Sequence, residues 1–180
     1  LVDTYQKIDT STYDVKPVWT FIGLEDVRIV RWNNILYVSG VRRDTKPDGE
    51  GRMELCEIEM DKNKCIEKTR DRIEVDPHTY LEKNWMPILD MPYHYVKWTI
   101  PTEVVKVDPV KGTSETVCCV EQPHVQHKTW RGVRGDSQVI KYGDYYVALT
   151  HEVDLFRNEE EQKDTYYWHK FIVWDKDWKI

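Results

Sequence analysis

A segment that occurs three times along the chain narrows its fold more than any other feature. Asp26–Arg42, DVRIVRWNNILYVSGVR, lays over Asn84–Thr99 and again over Asp136–His151. Each copy is a polar opening, a short apolar run, a turn rich in Asn, Asp, Gly or Pro, and a second run of aromatic and β-branched residues. That order predicts a β-hairpin. The copies start 58 and then 52 positions apart, a period suited to propeller blades or other arrays.

The residues after each hairpin predict an outer strand pair. Arg52–Met60 turns at Asp61–Lys64 into Cys65–Glu74, and Thr102–Asp108 turns at Pro109–Gly112 into Thr113–Val120. Trp168–Trp174 runs into the turn Asp175–Asp177, so Asp61, Asp108 and Asp175 occupy matching turns. The expected fold is all-β: a partial β-propeller of about three four-stranded blades, at 24–75, 82–120 and 135–180, forming one domain over 1–180. Blades pack face to face, so inner strands should be apolar on both faces, as Val27–Val30, Ile35–Ser39 and Tyr145–Leu149 read. Three blades cannot close a ring, so either two further blades of a five-bladed ring lie outside this chain, the favoured reading, or the chain presents open blade faces. The absence of an initiator Met likewise reads as a fragment or a processed chain. Residues 1–23 read as a lead-in with a short strand at Val18–Ile22, and Asn158–Asp164 as a solvated acidic loop. No stretch carries a helical period.

Composition excludes several classes of function. The 180 residues carry a formal net charge of −6, which argues against nucleic acid, since such partners call for a basic face. No run of about 18 apolar residues is present to span a membrane, and the N-terminus lacks the basic-then-apolar order of a signal peptide. The expected location is cytoplasmic. Cys56, Cys65, Cys118 and Cys119 read as reduced thiols: adjacent strand residues face opposite ways, and Cys56 and Cys65 sit off-centre about their turn. Among the histidines only His124-x-x-His127 has ligand-like spacing, so no metal site is expected.

At the three openings the sequence resembles the five-bladed β-propellers of the glycosidase-like superfamily, which includes glycoside hydrolase family 43 and the mannoside phosphorylases of family 130. It is most similar to propeller modules found alone or beside glycosyltransferases. The residues carrying the resemblance are Glu25-Asp26-Val27-Arg28, Glu82-Lys83-Asn84-Trp85-Met86-Pro87, Arg134-Gly135-Asp136-Ser137-Gln138 and His151-Glu152, and it extends over about 20–178. Two departures stand out. Val27 replaces the Pro usual in family 130, and Asp136 adds a carboxylate where Gly is usual.

The resemblance implies a saccharide partner and makes Asp26 the candidate catalytic carboxylate, with a glycosyltransferase domain as a candidate neighbour in a parent chain. Sugars are bound by amides and carboxylates that hydrogen-bond hydroxyls and by rings that stack on the pyranose face. Candidate binding residues are therefore Glu25, Lys83, Asn84, Asp136, Ser137, Gln138 and Glu152, with Trp85 reading equally as a platform or as core and Trp32 read as core. Hydrolysis needs two carboxyls across the bond, yet the second opening offers the amide of Asn84, leaving Glu82, Asp136 or Glu152 to substitute. A phosphorylase needs one acid and a cationic pocket for phosphate as co-substrate, and Arg28, Arg42, Arg43, Arg134 and His151 could supply it. Arg28 reads equally well as a structural partner of Glu25 or of a neighbouring blade's carboxylate, and one of Arg42 and Arg43 should face solvent. No other cofactor is expected. The alternatives are a non-catalytic glycan-recognition module accompanying a glycosyltransferase, and a protein-interaction propeller whose openings are structural.

Overall fold

The computed structural model describes residues 23–62, 64–125 and 132–180. The strand expected at Val18–Ile22 and the histidine at 127 fall outside them. The described residues form an all-β protein of antiparallel sheets with no helix, and no sheet closes on itself.

Three sheets follow one another along the chain. The first is β1 (Leu24–Trp32), β2 (Ile35–Arg42), β3 (Arg52–Asp61) and β4 (Lys64–Arg72), paired in that order. The second is β5 (Met86–Pro87), β6 (His94–Trp98), β7 (Thr102–Asp108) and β8 (Thr113–Val120), again in order. In the third, β9 (Arg134–Gly135) and β10 (Ile140–Tyr142) both pair with β11 (Tyr145–Arg157), which pairs with β12 (Lys163–Trp174). The third sheet is thus three strands wide, its first strand split in two. The turn at the acidic run is also shorter than expected, because β11 extends to Arg157 and β12 starts at Lys163, with Asp164 already paired to Phe156.

Local chemistry explains the turns. Asn33 and Asn34 join β1 to β2 with φ of 51° and 64°; a two-residue hairpin loop needs that left-handed geometry, and Asn tolerates it. Asp108 Oδ1 accepts hydrogen bonds from the backbone N–H groups of Val110 and Lys111 at 3.0 and 3.1 Å. Asp175 Oδ1 accepts from those of Asp177 and Lys179 at 2.8 and 3.0 Å. The same carboxylate-closed turn therefore follows β7 and β12, as their matching sequence positions imply.

The middle sheet is buried on both faces. Tyr95, Val105 and Val107 pack with Val30, Trp32, Tyr37, Met53 and Leu55 of the first sheet. Val96 and Val104 pack with Val139, Ala148, Ile172 and Trp174 of the third. Among the described residues each outer sheet keeps one open face, so the apolar residues expected on both faces of the inner strands are covered on one side only. On β1 the inward Val30 is 2% exposed but Val27 and Ile29 are 47% and 57% exposed. On the third sheet Ala148 and Ile172 are buried, whereas Ile140, Tyr142, Tyr145, Phe171 and Val173 are exposed.

The leading strands meet. Trp32 Nε1 donates to the Ile88 carbonyl at 2.9 Å, Val139 N donates to the Pro87 carbonyl at 2.8 Å, and Gln138 Nε2 donates to the Ile29 carbonyl at 2.9 Å. These bonds link the first sheet to the second, the second to the third, and the third back to the first.

Candidate functional site

Where the three leading strands meet, a cleft of about 380 Å³ opens, lined by Asp26, Val27, Arg28, Lys83, Asn84, Arg134, Asp136, His151 and Tyr167. The openings of all three repeat copies therefore share one cavity. A hollow of similar volume beside the β7–β8 turn, walled by Tyr93 and residues from Lys106 to Glu115, holds none of the expected site residues; volume alone does not single out the cleft.

The backbone places the first two openings in the same way. Asp26 and Asn84, at equivalent positions in their copies, have φ of 52° and 62°. Side chains other than Asp, Asn and Gly rarely adopt that left-handed geometry. A bulge between Glu25 and Arg28 accompanies it in β1, and bulges commonly re-aim side chains beside sites.

Arg28 is the beam behind the cleft. It is 8% exposed, and its Nη1 and Nη2 donate to the Asp26 carbonyl at 2.9 Å and the Gly135 carbonyl at 3.0 Å. Its partners are backbone carbonyls rather than the Glu25 carboxylate. Burial lowers its pKa, while the charges of Asp26 and Asp136 oppose that shift. Both aspartates thus lie within electrostatic reach of one guanidinium.

Asp136 sits between two imidazoles. Its Oδ1 lies 3.4 Å from His151 Nδ1 and its Oδ2 lies 3.3 Å from His169 Nε2. The His151 contact is electrostatic and falls outside hydrogen-bond geometry, so that Nδ1 is buried without a hydrogen-bond partner. Burial pushes the His151 pKa down and the neighbouring Asp136 carboxylate pulls it back up, with a net lowering. His169 and Tyr167 were missed because the motif reading stopped at His151-Glu152. The antiparallel register pairs His151 with His169 and Val153 with Tyr167. Pairing the two long runs of the third unit residue by residue would have found both.

Arg28, Lys83 and Arg134 outnumber Asp26 and Asp136, so the cleft carries a surplus of one positive charge on a chain of net charge −6. Glu25 stands behind it. Its Oε1 is buried without a hydrogen-bond partner, and burial, then the Asp26 charge, raises its pKa against Arg43 and Lys83.

The other expected site residues are placed elsewhere. Trp85 is 1% exposed and donates from Nε1 to Glu82 Oε2 at 2.9 Å, so its ring is core and offers no stacking face; Trp32 is likewise 1% exposed. Glu82 is held by Trp85, by the Thr79 hydroxyl and by Lys97. Arg42 is buried against Asp44 at 2.6 Å. Arg43 donates to the Gly49 carbonyl and lies over the Tyr80 ring, so neither arginine is fully exposed. Ser137 donates to the Gln138 carbonyl and accepts from Leu149 N. Glu152 pairs with Lys170 at 2.7 Å. Of the three carboxylates weighed as a second acid, only Asp136 faces the cleft.

Among the described residues no group of three or more His, Cys, Asp or Glu side chains is arranged to hold a metal ion, and no helix is long and apolar enough to cross a membrane. None of the four cysteines is in a disulfide. No protein-family model matches the chain, and no curated protein or solved structure matches it either.

Proposed function

We propose that the cleft is the saccharide site of a propeller of the glycosidase-like superfamily, hydrolase or phosphorylase in type, with Asp26 as its catalytic carboxylate. One observation carries this reading: Asp26, Asn84 and Asp136, the leading residues of the three repeats, line a single cavity. The two-faced burial of the middle sheet supports the propeller reading. The open apolar faces of the outer sheets are the kind of surface on which further blades of the ring would pack.

The mechanism follows from the groups present. Asp26 protonates the glycosidic oxygen as the bond to the anomeric carbon breaks, and a nucleophile attacks that carbon. The cationic surplus favours phosphate as that nucleophile, since Lys83 and Arg134 can neutralise it with charge-assisted hydrogen bonds while Arg28 adds its charge from behind. With water instead, Asp136 is the carboxylate that would activate it. Asn84 holds a sugar hydroxyl through its amide.

A screen of the chain against aryl glycosides and β-mannosides, with and without phosphate, tests the proposal. Phosphate-stimulated turnover that disappears in Asp26→Asn is the expected result. Turnover that persists in Asp26→Asn removes the catalytic assignment. The presence of Asn84 where a second carboxylate is usual favours one other reading, a glycan-recognition module beside a glycosyltransferase. Glycan binding without turnover, unchanged in Asp26→Asn, would establish it.

A further inference from the structure

A smaller hollow of about 150 Å³ adjoins the cleft, and Lys83, Asn84 and Arg134 wall both. Its far side is formed by Trp98 with Lys97 and Thr99. Trp98 is 49% exposed, in contrast to Trp32 and Trp85 at 1% each. It is the tryptophan with an accessible ring in the walls of either cavity.

Its placement comes from a local irregularity. In β6 the register against β7 shifts between Val96 and Trp98, a bulge of the kind that re-aims side chains. Lys97 turns inward, its Nζ 3.3 Å from Glu82 Oε1 and 5.7 Å from the centre of the Trp85 ring. Trp98 is left facing the hollow. Thr99 Oγ1 donates to the Val133 carbonyl at 3.1 Å, tying the end of β6 to the segment that leads into Arg134. The platform is thus held from both sides while its ring stays open.

We infer that this hollow is a second saccharide subsite, in which a sugar unit next to the one in the cleft stacks on the Trp98 indole, so that the ligand is an oligosaccharide. The inference rests on the saccharide reading of the cleft. A hollow of about 150 Å³ beside the larger cleft is on the scale of a small ring, not of a folded partner. Continuity of the walls makes the occupant part of the same ligand. Lys83, Asn84 and Arg134, between the two spaces, are placed to hydrogen-bond the hydroxyls flanking the linkage.

The test is calorimetric titration of the chain with matched mono-, di- and trisaccharides of β-1,4-linked mannose, xylose and glucose. The expected result is about a tenfold gain in affinity from mono- to disaccharide for at least one series, the scale of a single aromatic stacking contact. Trp98→Ala should erase that gain and leave monosaccharide affinity unchanged, while Trp98→Phe, which keeps a flat ring, should retain most of it. Equal affinity for mono- and disaccharides, or a length gain that survives Trp98→Ala, overturns the subsite and leaves the cleft reading standing. No binding by any member of the series overturns both.

Discussion

Arg28 Nη2 and the Gly135 carbonyl oxygen, 107 positions apart in the chain, lie 3.0 Å from each other and join the first sheet to the third. The bond spans the back of the cleft, and the same guanidinium also holds the backbone of Asp26. A single buried cation therefore sets the distance between two of the three openings. Replacing it should loosen the cleft as well as the fold. Arg28→Met leaves two carbonyls without their donor, and urea unfolding should show a loss of about 1–3 kcal/mol.

Gly135 is required by space. A Cβ there would lie 2.2 Å from the Asn84 carbonyl oxygen and 2.5 Å from Met86 Cγ. The first contact is backbone, so Asn84 itself would have to move. Gly135→Ala should cost about 1–3 kcal/mol by overpacking, read as a lower melting temperature. It should also weaken any cleft ligand, whereas Gly143→Ala, with nothing within 4 Å of its Cβ but a φ of 60°, should affect stability alone.

The tryptophans divide by burial. Trp85→Ala removes a ring that is 1% exposed and takes the indole donor from Glu82 Oε2, so it should cost about 3–5 kcal/mol. Trp98→Ala, at a half-open surface site, should stay within about 0.5 kcal/mol of the parent. Chemical unfolding of the two variants side by side checks this.

Acid should unfold the chain partly through Glu50. Burial alone would raise its pKa, but hydrogen bonds from Lys46, His78 and Arg72 and the charge of Arg52 carry it from 4.5 down to about 2. A carboxylate held lower in the folded state contributes stability that is complete above its unfolded pKa and is lost as pH falls through the folded value. Stability should therefore decline between about pH 4.5 and pH 2. Glu50→Gln should flatten that decline while lowering stability at neutral pH, as a series of pH-dependent melts would show.

Much of the strand order was legible because hairpin chemistry is local. The Asn33-Asn34 loop, the capping aspartates Asp108 and Asp175, and the alternating runs between them act over a few residues, and the sheets follow from their sequence order. The outer faces of the terminal sheets were not legible. Val27 and Phe171 look like core in a window of neighbours, and whether a second layer covers them depends on chain far away or absent. Trp85 stood open between platform and core, and the Glu82 carboxylate three residues back, with the Tyr95 ring packed against it, settles the indole inside.

The repeat by itself determined that three polar openings would lead three successive hairpins, because the spacing and the turn residues are written along one dimension. Only tertiary packing decided that Asp26, Asn84 and Asp136 share a cavity, that a positive surplus collects there against an acidic chain, and that the neighbouring strand brings Tyr167 into its wall and His169 against Asp136. Those facts depend on the register of β11 against β12 and on an arginine reaching across 107 positions. Long-range geometry of that kind is set by the burial of whole sheet faces, which no short stretch of sequence encodes.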